Sequence, residues 1–186
     1  MHFKYPLKMI NITLPDGSVK QYPQKVTPLE VAKSISEGLA RNVLSALVND
    51  KQTEITTPIT ENATLQLLTW NDDLGKKAFW HSSAHLLAQA ILQFYPNAKL
   101  TIGPAIEKGF YYDVDFGEDS FGEKDFEKIE KAMLENAKKK AEFKLYSVSK
   151  AEALEEYKNN EYKTELISNL EDGDITFCVH DNFTDL

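Results

Sequence analysis

The sequence predicts an α+β fold in two parts, divided near Trp70. Three observations carry that reading. Between residues 9 and 68, short apolar–polar alternations surround one helical pattern. The run Trp70-Asn71-Asp72-Asp73 then breaks the pattern. Beyond it, longer helical spacings are interspersed with short strand patterns, the mixture of an α+β domain.

The elements follow in order. Residues 1–8 are read as an N-terminal extension ahead of Met9. They have neither an apolar core nor a small-residue cleavage site, which excludes a signal peptide. Ile10, Ile12 and Leu14 alternate with polar residues, Pro15-Asp16-Gly17-Ser18 is turn chemistry, and Val19–Tyr22 returns as a second strand. Thr27-Pro28-Leu29-Glu30 predicts a helix start: Thr27 caps, Pro28 fits the first turn and Glu30 closes a capping box. Strands are predicted at Ala46–Val48 and Ala63–Leu68, around a polar segment at residues 49–60.

In the second part a helix is predicted from about Lys76 to Phe94, ended by Pro96-Asn97. Phe110–Phe116 alternates as a strand, and the helix is expected to pack on an antiparallel sheet that contains it. Phe126, Ile129, Met133 and Ala137 mark an amphipathic helix with a Lys- and Glu-rich outer face. A strand over residues 143–148, a helix opened by the capping box Ser149–Glu152, a short helix over 162–170 and a strand over 175–180 complete the chain.

Composition limits the function classes. No apolar run approaches the ~18 residues of a membrane span. The single cysteine, Cys178, excludes an internal disulfide and suits the cytoplasm. Net charge is −8, with seven Lys/Arg against six Asp/Glu in residues 1–70 and fourteen against twenty-three beyond. A nucleic acid held mainly through its phosphates wants a basic surface, so any RNA contact must be local.

The chemistry-bearing pattern is His81-x-x-x-His85. On a helix, residues four apart share a face, so two imidazoles stand within reach of one ligand, metal or water. Alone, the pattern equally describes a half-buried face with two incidental histidines. It is followed by Ile102-Gly103-Pro104-x-Ile106-Glu107-x-Gly109-Phe110-Tyr111-Tyr112-Asp113, and the chain ends Phe183-Thr184-Asp185-Leu186.

With these motifs the chain resembles the threonyl-tRNA synthetase family. Residues 9–70 are similar to its TGS domain, a ubiquitin-like β-grasp module. Residues 71–186 resemble its editing domain up to a Cys-x-x-x-His motif, which the resemblance places just beyond Leu186. It implies post-transfer editing, hydrolysis of serine from threonine tRNA, within a class II ligase that attaches threonine using ATP. It implies catalytic roles for His81, His85, Lys163 and Asp185. His81 and His85 would position a water or the terminal ribose. Lys163 would pin the ester or offset developing charge, and Asp185 would capture the seryl amino group. Gly103 and Tyr112 would bind substrate, Tyr112 by stacking on the terminal adenine. Cys178 and His180 have the wrong spacing for the motif; they are read as a buried strand residue and an incidental histidine. No cofactor or metal is expected in this region, whereas ATP, magnesium and zinc belong to the ligase core. Expected partners are threonine tRNA and its seryl form, no membrane, and a second subunit contacted through regions outside this chain. Two other readings stay open: a non-catalytic RNA-binding or regulatory TGS module, and a zinc-dependent deacylase of the alanine type.

Overall fold

The computed structural model describes residues 8–186. The expectation for residues 1–8 therefore lies outside the described residues, Lys8 apart. Two compact units divide between Phe79 and Trp80.

The first unit carries β1 (Met9–Thr13), β2 (Val19–Pro23), α1 (Pro28–Ile35), α2 (Glu37–Asn42), β3 (Ser45–Val48), β4 (Lys51–Thr53) and β5 (Ala63–Leu68). Its sheet runs β2-β1-β5-β3-β4. β1 and β5 are parallel, and the other neighbours are antiparallel. The β1–β2 turn forms as the sequence predicts: the Ser18 N–H donates to Asp16 Oδ1 at 2.9 Å, and Gly17 takes φ +82°. The Thr27–Glu30 capping box is also present. The Glu30 N–H donates to Thr27 Oγ1 at 3.2 Å, and the Thr27 N–H to Glu30 Oε2 at 2.8 Å. Such a cap contributes about 1 kcal/mol. Val31 of α1 packs with Ile10, Ile12, Ala46 and Leu65 to form the core.

β4 lies inside the segment read as polar loop. Asn49 and Asp50 both adopt positive φ, closing a tight hairpin after β3. The helix opened by Thr27, whose apolar spacing of Val31, Ile35 and Leu39 predicts one element, is divided at Ser36, which ends α1 and caps α2.

The next helix, α3 (Asp73–Phe94), contains the division between the units. Near its start Gly75 is required by space, since a Cβ there would lie 2.1 Å from the Thr69 carbonyl oxygen.

The second unit continues with β6 (Lys99–Leu100), β7 (Ala105–Ile106), β8 (Gly109–Phe110), β9 (Val114–Asp115), α4 (Phe126–Lys138), β10 (Lys144–Ser147), α5 (Lys150–Glu156), α6 (Glu161–Ser168), β11 (Thr176–His180) and β12 (Phe183–Asp185). Ala90 and Ile91 of α3 pack on Ile129 and Ala132 of α4, around Tyr95. Ala153 of α5 and Ile167 of α6 bury against Ile175.

The strand expected over residues 110–116 is broken. β8 pairs with β7, and β9 pairs with β6. Between them, the Asp113 N–H donates to the Ile102 carbonyl, and the Asp113 carbonyl accepts from Thr101. The histidine-bearing part of α3 packs on the antiparallel β6–β9 pair through Leu100 and Val114, and also meets the antiparallel set β10-β11-β12 at the end of the chain. There Gln89 donates to Asn182 at 3.3 Å, and Ala88 packs with Phe183.

Candidate active site

Four separate parts of the second unit deliver side chains to one point. α3 places His81 and His85 four residues apart. The connector between β8 and β9 supplies Tyr112. α6 supplies Lys163 from its first turn, which Asn160 caps: Asn160 Oδ1 accepts from the Lys163 N–H at 3.1 Å, while Asn160 Nδ2 donates to the Leu100 carbonyl at 2.8 Å. β12 supplies Asp185, held in register opposite Cys178 of β11.

Asp185 is the centre, only 1% exposed. Its Oδ2 accepts from Tyr112 Oη at 2.5 Å and lies 3.0 Å from His85 Nδ1. Its Oδ1 accepts from Lys163 Nζ at 2.8 Å and from the Leu186 N–H at 2.9 Å. Burial pushes the Asp185 carboxyl upward. The His85 hydrogen bond and the Lys163 ammonium outweigh it and hold the group well below the usual carboxylate range. Asp185 is therefore an anion that only accepts.

That fixes the direction of the chain of protons. An anionic carboxylate has no proton to give, so His85 Nδ1 carries the N–H. In the tautomer in which His85 carries its proton on Nδ1, its Nε2 is an acceptor 3.2 Å from His81 Nε2; His81 then donates from Nε2 and keeps the lone pair of Nδ1. His85 is buried, while His81 is exposed at the mouth of the arrangement. Lost solvation, then the neighbouring His85, lower the His81 pKa, which favours the uncharged ring at neutral pH.

The remaining groups brace this line. Burial and the charge of Asp185 raise the Tyr112 phenol, so it stays a donor. A Cβ on Gly103 would lie 2.3 Å from the Tyr112 ring, so the ring occupies the space that glycine leaves. Lys163 Nζ sits 5.9 Å from the Tyr112 ring centre and 5.8 Å from that of Tyr157.

Comparison with known proteins identifies this arrangement's context. Residues 10–69 match the TGS domain family. Over 178 residues, 96% of this chain, the sequence is 63% identical to the threonine--tRNA ligase of Flavobacterium psychrophilum. It is 53% identical to that of Cytophaga hutchinsonii and 49% to that of Bacteroides thetaiotaomicron, each over 180 residues. The chain belongs to the threonine--tRNA ligase family. It spans 28% of the length of these curated relatives.

In this threonine--tRNA ligase region the six residues singled out from the sequence stand together, but in different relations from those expected. Asp185 has both oxygens engaged by four donors of the chain itself. Lys163 points into the protein at Asp185 rather than outward. Gly103 accommodates Tyr112, and the Tyr112 hydroxyl is committed to Asp185. His180 is not incidental. It is buried, stacks on Phe143 with ring centres 4.3 Å apart, and lies 6.4 Å from His85. Burial, then His85, lower its pKa to about 4. Cys178 is buried in β11, as its sequence context predicts. Among the described residues no group of three His, Cys, Asp or Glu side chains is arranged to hold a metal ion. No described helix is long and apolar enough to cross a membrane. Tyr157 and Asn160 were missed; a capping Asn three residues before Lys163 was the available signal for the latter.

Proposed function

We propose that this region hydrolyses the ester joining serine to threonine tRNA, as the proofreading part of a ligase that attaches threonine with ATP. The observation that supports it is the ordered line Lys163–Asp185–His85–His81, which runs from a buried ion pair to an exposed imidazole.

The need for such a step is physical. Serine is threonine less one methyl, and one methyl in a pocket separates substrates by about 1–3 kcal/mol, roughly 10–200-fold. A synthetic site that takes threonine therefore takes some serine, and a second site can sieve in the opposite sense.

The residues divide the work. His81 Nδ1 accepts the proton of a water as its oxygen bonds to the ester carbonyl carbon. When the bond from that carbon to the ribose oxygen breaks, the same proton passes from His81 to the ribose oxygen. His85 is a positioning residue that holds His81 in the required tautomer. Asp185, Tyr112 and Lys163 in turn hold His85. Gly103 provides the room that lets Tyr112 reach Asp185. The step runs through side chains, and ATP, magnesium and zinc are assigned to the rest of the ligase.

In the full-length ligase, His81→Ala should slow single-turnover serine release from seryl-tRNA by about 10²-fold or more. Attachment of threonine should be unchanged. Equal serine release in the wild type and the variant would end this assignment.

A further inference from the structure

The second unit is acidic, yet one corner of it is not. Between residues 138 and 144 stand four lysines and a single glutamate. Lys138 closes α4, Lys139 caps it, and Lys140 turns the chain with φ +53°. All are exposed, as is Lys144. Lys139 is tied to Asp181 at 2.7 Å, and Lys144 lies 3.6 Å from Glu142. Lys138 and Lys140 join no ion pair among the described residues.

This corner is fastened to the candidate active site. Asp181 belongs to the β11–β12 turn and adjoins His180, whose ring packs beside His85. Phe143, between Lys140 and Lys144, stacks on that same His180 and lies 6.4 Å from His85. A polar ladder along α3 leads the same way. Gln89 meets Asn182, and Gln93 meets Asn136, two residues before Lys138. From His85 to Gln93 is about 12 Å of helix. A few unstacked nucleotides cover that span.

We infer that the Lys138–Lys140 corner, with Lys144, binds backbone phosphates of a single-stranded RNA end and leads its terminus to His81. This rests on the ester-hydrolysis reading for the identity of the RNA end, but not for the binding itself. The positive charge at the C-terminal end of α4 suits the helix dipole, yet that accounts for one or two cations in the last turn and not for Lys144 on β10. An anionic backbone on a protein of net charge −8 needs a local cluster of this kind.

The test is direct binding of an uncharged RNA hairpin with a four-nucleotide single-stranded 3′ end, one carrying no amino acid, to the 186-residue chain across a range of salt. The variant Lys138→Gln/Lys140→Gln/Lys144→Gln spares the Lys139–Asp181 pair. It should bind at least tenfold more weakly at low salt. The slope of log affinity against log salt should fall by about 2, at about 0.7 for each phosphate that a lysine no longer neutralises. The matching Lys→Arg variant should retain both, and an unchanged thermal melt excludes misfolding. His81→Ala should leave the slope unaltered, which separates this proposal from the hydrolysis reading. An unchanged slope in the triple Gln variant, no RNA binding by the wild-type chain, or equal affinity for poly-glutamate would each overturn the inference.

Discussion

Asp185 Oδ2 lies 3.0 Å from His85 Nδ1, across 100 residues of chain. Each group is almost fully buried. The contact makes β12 the backstop of the histidine helix, and it places a proton on His85 Nδ1.

Breaking that backstop should be costly. Asp185→Asn keeps the shape but leaves the Lys163 ammonium buried without its counter-ion. Loss of one partner of a buried pair costs about 3–5 kcal/mol. Denaturant unfolding should show a loss of this order. The double variant Asp185→Asn/Lys163→Met should recover part of it, because the unpaired charge is gone. No recovery would mean that the pair is not the source of the loss.

Stability should also fall in acid, in two windows. His180 has a folded pKa lowered to about 4, against an ordinary value near 6.5. The unfolded chain therefore takes up its proton first, and stability is lost as pH falls from about 6.5 towards 4. Asp185 has a depressed pKa, so its contribution is present above about pH 4 and is lost as pH falls below that. Melting temperatures of wild type and His180→Phe at pH 7 and pH 4.5 test the first window. The variant keeps the stack on Phe143 and should show a smaller drop; an equal drop would place the titration elsewhere.

Gly103→Ala should displace the Tyr112 ring, since the new Cβ would meet it at 2.3 Å. Overpacking of this kind costs about 1–3 kcal/mol. Ester hydrolysis should fall with it as Tyr112 leaves Asp185. Adding Tyr112→Ala to Gly103→Ala should relieve the strain. A melt of Gly103→Ala identical to the wild type would show that the ring has another place to go.

The two histidines should not collect zinc. Their facing Nε2 atoms are engaged with each other, and a tetrahedral site needs four ligands, or three and a water. Elemental analysis of the purified chain is expected to show no stoichiometric zinc. One tightly held zinc per chain, lost in His81→Ala/His85→Ala, would favour the alanine-type deacylase instead.

Much of the fold was legible because its signals are local. The Thr27 and Ser149 capping boxes, the Asp16-Gly17 turn and the alternation of Ala63–Leu68 each act within a few residues. The break at Tyr111–Asp113 was not legible, since alternation there continues while Asp113 turns to pair with residues 101 and 102. In the site, only the spacing of His81 and His85 is a local signal. Lys163 and Asp185 were reached through resemblance, because nothing in a lysine on a short helix or an aspartate near a chain end announces the other. Their mutual contact is not legible for the same reason. Burial and the saturation of both Asp185 oxygens are properties of four converging segments, and no one segment carries them. His180 reads as incidental from sequence because its neighbours, Phe143 and His85, are distant along the chain.

The most direct test of ester proofreading is the release of labelled serine, compared with labelled threonine, from the same threonine tRNA under single-turnover conditions with the full-length ligase. Serine release should be faster by at least tenfold, and it should be lost in His81→Ala and His85→Ala with threonine attachment intact. Equal rates for serine and threonine would contradict the proposal, because discrimination by one methyl group is what the second site is proposed to supply.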